Sequence, residues 1–479
     1  MLASCSGSSA SFDDLEPSEL TRDDWSLRLD TLGASRRWAF VLVDTGRGVN
    51  LTSALARDRL FGPGAESLTS YFQEVSYSRH SLSGEVFGPF TFAAEDFELC
   101  SLVGAQQMVT ELLPQIQGPF DQYLWYFGSP LEGCGWEGIA ELGSAARPTR
   151  HSFYSGSDGC TVLIQEPGHN YGMAHSSALR CQQDGKRVTL PGPGQAQCEH
   201  VEYGHPYDPM GDGCGHMNGV QKAYLGWLGG CNVVTAAGSG LFVLQPLEQA
   251  CDGPQLLHIP LGEPRFRFGN TPGLMSGYYL EYRTGTGLDD EVPPGVYVMA
   301  AGNIKEALRS GNDNWLLDMN PESPGREDLA MTVGQSFRDP IDPGLAFTVV
   351  SADARTAVIR VERDAAAAMG PGAGLCGDDR PFDPQIPITC AGLAPEAPFG
   401  PGFAADAGLD ASSDALADAG IAVPGGPDGG AGQGGGGSSG CRMSPGPTGG
   451  DGAGACWMIL GVLVLLRCRR GPPGSRGPR

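Results

Sequence analysis

Positive charge is scarce in this sequence. Its 479 residues contain 31 lysines and arginines against 55 aspartates and glutamates, so the formal net charge is -24. Proteins that bind nucleic acid or an anionic membrane surface concentrate Lys and Arg against the phosphates, and no basic cluster occurs in the part of the chain predicted to fold. We therefore expect no nucleic-acid partner, and membrane contact only through the chain ends.

Three kinds of sequence pattern are also missing. The sequence has no paired C-x-x-C clusters, no internal repeat and no apolar run as long as the ~20 residues of a membrane-spanning helix. The first absence disfavours a zinc site built from cysteines. The second disfavours a solenoid, and the third disfavours an ordinary transmembrane helix.

Cysteine, in contrast, is plentiful. The chain has 14 cysteines. Those in its body are Cys100, Cys134, Cys160, Cys181, Cys198, Cys214, Cys231, Cys251, Cys376 and Cys390. An even set in an acidic chain predicts disulfides, which persist outside the reducing cytoplasm. We therefore predict an exported protein, with Cys376 and Cys390 as a candidate pair that closes a local loop.

One segment, residues 165–176, carries the chemistry. It reads Q-E-P-G-H-N-Y-G-M-A-H-S and nearly reproduces the long zinc-protease motif H-E-x-x-H-x-x-G-x-x-H. On a helix, Gln165 and His169 lie one turn apart on the same face and can bind one ion. Gly172 can adopt a positive φ, so the chain can leave the helix sharply and bring His175 back as a third ligand.

Glu166 supplies the matching catalytic group. Three protein ligands leave one position open to water, and zinc lowers the pKa of that water toward ~7, so that a neighbouring carboxylate can take its proton. The alternative is that His169 and His175 are ordinary histidines and Glu166 a solvated charge. We disfavour it because the carboxylate, both histidines and the glycine all stand at the required offsets.

A second element follows downstream. The run Tyr207-Asp208-Pro209-Met210-Gly211 has the position and turn chemistry of the methionine turn of metzincins, so Met210 would form the apolar floor of the site. We leave four other polar residues nearby out of the predicted ligand set, since surface histidines in turn-rich loops are commoner than metal ligands: His200, His205, His216 and Asp208.

These residues together resemble a known family, the gametolysin-like metallopeptidases, a metzincin branch in which the first ligand position holds glutamine. The resemblance rests on Gln165, Glu166, His169, Gly172, His175 and Met210, with looser support from residues 70–84 and 223–228, and covers about residues 36 to 360. It implies a secreted zinc endopeptidase that acts on extracellular protein or peptide. It also implies that Gln165, His169 and His175 bind the Zn²⁺ and that Glu166 is the general base.

Two residues depart from the ordinary motif. Gln165 offers a neutral amide oxygen, a weaker zinc ligand than imidazole, so the metal should be held less tightly yet remain more Lewis-acidic. Pro167 removes a helical N–H and crowds the preceding turn. We therefore expect the helix to be kinked here or to begin close to Gln165.

The pattern of apolar residues predicts a mixed α/β (α+β) metzincin-like catalytic domain over residues 36–235 and an accessory β-sandwich over 236–363. Strands are predicted at 38–44 and 122–127 and helices at 53–61 and 67–75, with the zinc helix lying across the sheet. Further short strands are predicted at 241–244, 278–282, 295–299, 346–350 and 357–361.

The remaining segments are predicted to be a flexible linker and two terminal targeting segments. Residues 364–440 are rich in Ala, Gly, Pro and Asp and should form a disordered, flexible linker. Residues 1–35 are assigned as an export or pro segment, in which Leu2-Ala3-Ser4-Cys5 resembles a bacterial lipobox whose cysteine carries lipid. The segment 441–479 combines Cys441, a short apolar helix at 455–466 and arginines, and resembles the sorting tails of myxobacterial surface proteins.

Two functions from different classes remain open at this point. The first is a secreted or cell-surface zinc endopeptidase; the second is a catalytically inactive pseudoprotease that serves as a surface adhesin or binding module. Glu166 favours the enzyme because a binding protein has no chemical need for a carboxylate at that position. Gln165 and Pro167 favour the alternative.

Overall fold

A computed structural model describes residues 2–4, 35–93, 99–145, 148–193, 196–251, 253–265, 275–302, 314–323, 328–364, 374–376 and 381–382. All of these residues belong to one structural unit, residues 1–421. Most of the predicted linker, Cys390 and the whole predicted tail at 441–479, with its apolar helix, lie outside the described residues.

The described residues contain more strands than helices. The α-helices are α1 (Ser53–Phe61), α2 (Leu68–Val75), α3 (Leu102–Leu112), α4 (Cys160–Asn170) and α5 (Gly219–Tyr224). The strands are β1 (Leu2–Ser4), β2 (Ser35–Asp44), β3 (Ser81–Thr91), β4 (Gln122–Phe127), β5 (Gly138–Glu141), β6 (His151–Ser155), β7 (Ser176–Gln183), β8 (Lys186–Val188), β9 (Ala196–Val201), β10 (Val233–Ala236), β11 (Gly240–Leu244), β12 (Leu256–Arg265), β13 (Met275–Arg283), β14 (Gly295–Ala301), β15 (Asn314–Leu317), β16 (Ser336–Arg338), β17 (Ala346–Ala352), β18 (Ala357–Glu362), β19 (Gly374–Cys376) and β20 (Pro381–Phe382).

The first sheet has the strand order β1-β5-β6-β4-β2-β3. Strands β3, β2, β4 and β6 run parallel, whereas β5 is antiparallel to β6 and β1 is antiparallel to β5. Central strand β2 is apolar on both faces because both faces are covered. Trp38, Phe40 and Leu42 point to one core, and Ala39, Val41 and Val43 point to another.

Helices cover both faces of this sheet. Helix α3 packs on one side through Met108 and Leu112. Helices α1, α2, α4 and α5 lie on the other side, in a core that also contains Tyr279 and Met299 of the second sheet. The helix that carries the zinc motif therefore lies between two sheets.

The second sheet runs β20-β19-β10-β12-β13-β14-β15-β7-β8, with β9 also paired to β7, and the third runs β11-β18-β17-β16. Apolar side chains of both sheets share one core, including Leu280 and Val298 from the second and Phe347 and Ile359 from the third. Strands β7, β8 and β9 precede residue 236, yet they belong to the second sheet, with Ser176 paired to Asn314 of β15.

The prediction of a mixed α/β protein with sheets and few helices is confirmed. Helix α1 coincides with the predicted helix, and Thr52 caps it by accepting a hydrogen bond from the N–H of Leu55 at 3.2 Å. Strand β4 also has the predicted bounds. Among the described residues, no helix has the length and apolar character needed to cross a membrane.

Four disulfides link body cysteines, as the composition predicts for an oxidising compartment: Cys100–Cys134, Cys160–Cys214, Cys181–Cys198 and Cys231–Cys376. The prediction that Cys376 pairs with Cys390 is wrong, because Cys376 forms its disulfide with Cys231. Strand β19 lies antiparallel to β10, which brings Cys376 beside Val234 and within reach of Cys231. Sheet pairing, and not proximity in the sequence, decides this partner.

Candidate functional site

Helix α4 presents the first part of the motif. Gln165, Glu166 and His169 lie on it and are at most 4% exposed. The helix begins at Cys160 and contains Pro167, so of the two alternatives expected from this proline, a kink or a start close to Gln165, the second is wrong. Its end is fixed to the first sheet because the side-chain amide of Asn170 donates to the carbonyl oxygens of Glu141 and His151 at 2.8 and 3.0 Å.

Gly172 forms the turn that ends the helix. Its φ is +86°, in the left-handed region that favours glycine, and a Cβ there would lie 2.5 Å from both Ser144 Cα and the Tyr224 hydroxyl. The Gly172 N–H donates to the His169 carbonyl at 2.8 Å. The tight turn lets the chain double back and bring His175 to His169, as expected from the motif.

The two histidines meet through their Nε2 atoms, which are 3.1 Å apart. His169 Nδ1 lies 2.8 Å from the Met173 carbonyl oxygen, and His175 Nδ1 lies 2.9 Å from Glu202 Oε1. Carbonyl and carboxylate oxygens only accept, so each Nδ1 carries the proton and each Nε2 presents a lone pair. Two lone pairs at this distance repel unless a cation, either a proton or a metal ion, lies between them.

This arrangement fits zinc. With Zn–N bonds near 2.05 Å, tetrahedral geometry places two ligand nitrogens about 3.3 Å apart, close to the separation of His169 and His175. Burial, with a smaller effect from His175, lowers the pKa of His169 to about 3. His169 is therefore neutral at ordinary pH, as a metal ligand must be.

Gln165, the third ligand expected from the motif, lies one helical turn before His169. No group of three or more His, Cys, Asp or Glu side chains within the described ranges is arranged to hold a metal ion. The candidate set consists of two imidazoles and one amide. An amide oxygen is a neutral, hard donor, which zinc accepts less readily than imidazole.

Met210 lies beneath the helix. It is fully buried, and a Cβ at Gly168 would come 2.5 Å from its sulfur, so the thioether contacts the helix beside His169. The carbonyl oxygen of Met210 accepts from the N–H of Ser176, the residue after His175, at 2.8 Å. This turn therefore contacts the polypeptide on both sides of the histidine pair.

Asp208 holds the methionine turn in shape. One carboxylate oxygen accepts from the Met210 N–H at 2.8 Å, and the other accepts from the backbone and side chain of Asn218 at 2.7 and 2.8 Å. Burial raises the pKa of Asp208 to about 6, although these hydrogen bonds lower it. This residue acts on the turn, which agrees with its omission from the ligand set.

Glu166 is completely buried and packs against strand β5. The backbone of Gly138 approaches its carboxylate so closely that any side chain there would collide with it. Burial, with a smaller contribution from the charge of Glu166, raises the pKa of Tyr154 well above its usual value. The carboxylate therefore lies between helix α4 and strand β5 of the first sheet.

Two further histidines near the motif are not surface residues. His205 and His216 are both completely buried. His216 Nε2 lies 3.2 Å from Glu74, and its Nδ1 lies 2.8 Å from the buried ammonium of Lys222. The expectation that these histidines lie on the surface is therefore wrong for His205 and His216. Neither of them belongs to a three-ligand group in the described part of the chain.

Sequence reasoning missed Glu202 and Tyr203. Glu202 accepts from His175, and the Tyr203 ring centroid lies 4.1 Å from that of His175. Their positions follow from the antiparallel pairing of β7 with β9, which no local pattern in the sequence specifies. The dipeptide Asp184-Gly185, with φ values of 52° and 75°, marks only the tight turn between β7 and β8.

No protein-family model matches this chain, and no curated protein matches it either. The resemblance to gametolysin-like metallopeptidases therefore stays a prediction that rests on residues 165–210.

Proposed function

We propose that this chain is an exported zinc endopeptidase of the metzincin type, with Gln165, His169 and His175 as metal ligands. The observation that carries the proposal is the pair of imidazole Nε2 atoms 3.1 Å apart, each with its Nδ1 held by an oxygen acceptor. A purely structural histidine pair has no need to direct two lone pairs at each other. Met210 beneath the helix adds support.

When bound, zinc supplies Lewis acidity and lowers the pKa of water toward ~7. Glu166 is the proposed general base, which takes the proton of the attacking water and delivers it to the leaving amine. Its carboxylate packs against Gly138 of β5, and we propose that this strand also takes part in substrate binding. The buried, water-poor surroundings of Glu166 strengthen any electrostatic effect that it exerts.

Strand β5 lies between β6 and β1, so its outer side would be open to an extended substrate only after β1 has left it. Residues 2–4 already pair with it in antiparallel fashion, with Leu2 opposite Glu141 and Ser4 opposite Ile139. Main-chain hydrogen bonds of this kind recognise extended peptides with little regard to their sequence. We propose that substrate pairs with the same edge, as expected for an endopeptidase that acts on extracellular protein.

Export is supported by the disulfides. Four bridges are compatible with an extracellular or other oxidising environment.

We further propose that segment 441–479 anchors or sorts the protein at the cell surface, as its composition predicts. We propose that the second and third sheets, which share one core, form the accessory β-sandwich, although β7, β8 and β9 of the second sheet lie outside the predicted range 236–363.

One observation favours the alternative, an inactive pseudoprotease that binds partners. Glu166 is 0% exposed, whereas a general base must meet water and substrate. The amide of Gln165 is a weaker zinc ligand than imidazole, which also favours the pseudoprotease. The two functions differ in one measurable property, turnover.

The test measures zinc content and casein hydrolysis on the purified, disulfide-intact chain. We expect Gln165→Ala to lose zinc and activity together, and Gln165→His to keep or tighten the metal, since imidazole is the stronger donor. Glu166→Gln should keep zinc and lose roughly 10²- to 10⁴-fold in turnover. A chelator should abolish activity and zinc should restore it. Zinc binding without turnover in the wild type would favour the pseudoprotease; no zinc binding at micromolar concentration would overturn the metal site.

A further inference from the structure

We propose that Glu202 is a positioning residue that fixes His175 as a metal ligand, and that the paired strands β7 and β9 deliver it to that histidine. The inference rests on the proposed zinc site and goes beyond it, since Glu202 lies outside the motif at residues 165–175 that predicts the site. Its side chain is 41% exposed and that of His175 is 14% exposed, so the contact lies at the mouth of the site.

The contact determines the state of the imidazole. Glu202 Oε1 accepts from His175 Nδ1 at 2.9 Å, which leaves the Nε2 lone pair to face His169. A carboxylate on the far nitrogen holds the ring in one tautomer and orientation and makes the other nitrogen a better donor. Such support matters here because Gln165 is a weak ligand and the two imidazoles must supply most of the affinity.

Backbone geometry brings the two residues together. Strand β7 begins at Ser176, directly after His175, and β9 ends at Val201, directly before Glu202. The two strands are antiparallel with Ala178 opposite Val201, so their ends meet at the site. Cys181 and Cys198 are directly opposite in this register and form a disulfide, which prevents the strands from slipping.

Tyr203, the residue after Glu202, has a strained backbone conformation. Tyr203 has a φ of +59°, in the left-handed region that costs a non-glycine residue about 1 kcal/mol or more. That conformation turns the chain at the end of β9 and sets the Tyr203 ring 4.1 Å from the His175 ring. The imidazole is thus held by a hydrogen bond at one nitrogen and by an aromatic ring against its side.

The experiment compares zinc affinity, by competition with a chromophoric chelator, for the full wild-type chain and three variants. Glu202→Ala should weaken zinc binding roughly 10- to 100-fold. Glu202→Gln should lose less but still measurably, since its amide oxygen accepts the hydrogen bond but, without a charge, strengthens the imidazole as a donor less than the carboxylate does. The matched control is Glu199→Ala on β9, which removes an exposed carboxylate paired with Arg180 at 3.1 Å and should leave zinc affinity unchanged.

A second readout needs no metal. NMR of the histidine-labelled, metal-free chain should show His175 as the Nδ1–H tautomer in the wild type and in Glu199→Ala, and should show that preference lost in Glu202→Ala. Equal zinc affinity for Glu202→Ala and Glu199→Ala would overturn the proposal while the zinc site stands. If Glu202→Ala does not fold, the Glu202→Gln variant decides: a loss of zinc affinity greater than that of Glu199→Ala supports the role, and no loss overturns it. A wild type that binds no zinc would overturn both proposals.

Discussion

The ammonium nitrogen of Lys222 lies 2.8 Å from Nδ1 of His216, and both side chains are completely buried. The Tyr77 hydroxyl lies 3.0 Å from the same ammonium, and Glu74 lies 3.2 Å from the other nitrogen of His216. These contacts join helices α2 and α5 to the loop that follows the methionine turn. Buried charges of this kind are costly unless fully paired.

A first prediction concerns pH. Burial, helped by Arg283, lowers the pKa of Lys222 from 10.5 to about 7, while Asp289, Glu281 and Glu248 act in the opposite direction. Because the unfolded chain holds this proton more tightly than the folded protein, the free energy of unfolding should fall as the pH drops from 10.5 toward about 7. Lys222→Met should flatten that slope.

The measurement is urea denaturation between about pH 7 and 9. The control is Lys186→Met, which changes an exposed lysine on β8 and should retain the wild-type slope. Identical slopes for Lys222→Met and the wild type would mean that Lys222 remains charged in the folded protein. The buried carboxylates around it would then compensate its charge.

Local signals predicted some of the elements of the fold. Helix α1 has a threonine cap, and β4 has an uninterrupted apolar run, so both could be predicted without tertiary context. The pairing of Ser176 with Asn314 could not be predicted, because it depends on a sheet that forms from distant segments. The same cause hid the disulfide between Cys231 and Cys376, which are 145 positions apart.

The candidate site, like the fold, could be predicted from the sequence only in part. Glu166, His169 and His175 stand in one short motif, whose offsets reflect helix geometry and one turn at Gly172. Glu202 reaches His175 only through the register of β7 and β9, which no local pattern specifies. His216 belongs to a turn-rich loop in the sequence but is buried by packing against α2 and α5.

A second prediction tests the turn at Gly172. Gly172→Ala places a Cβ 2.5 Å from Ser144 Cα and Tyr224 Oη and also strains a φ of +86°. We expect a loss of about 3 kcal/mol in the free energy of unfolding, from strain and overpacking together. Zinc affinity should fall as well, because His175 depends on this turn.

The control for that variant is Gly133→Ala. Gly133 has a φ of +83°, nearly the same as Gly172, but open space around its Cβ position. It should lose only about 1 kcal/mol, from strain alone, and bind zinc normally. If the two variants lose equal stability in urea denaturation, then close packing at Gly172 is not what defines the turn.

A third prediction concerns the disulfide between Cys160 and Cys214. It ties the start of α4 to the loop that follows the methionine turn. Replacing both cysteines by serine should reduce the free energy of unfolding by about 4 kcal/mol on the chain-entropy account. Zinc affinity should also decrease, since the helix and the turn beneath it lose their covalent link.

The matched control replaces Cys100 and Cys134, which close a shorter loop on the α3 side of the first sheet. That variant should lose nearly as much stability in urea yet keep the wild-type zinc affinity. Equal losses of zinc affinity in the two double variants would show that the effect is global destabilisation and does not arise from the link to the methionine turn.

The last prediction concerns strand β1, which pairs with the edge of β5 beside Glu166. Removing residues 1–34 should expose that edge, so peptide substrates should bind with a lower KM, while the metal content stays the same. A synthetic peptide of residues 1–10 should then inhibit the truncated protein competitively, because it can restore the same backbone pairing. A scrambled peptide of the same composition and the intact chain serve as controls. If truncation leaves KM unchanged and the peptide does not inhibit, substrate does not use this edge of β5.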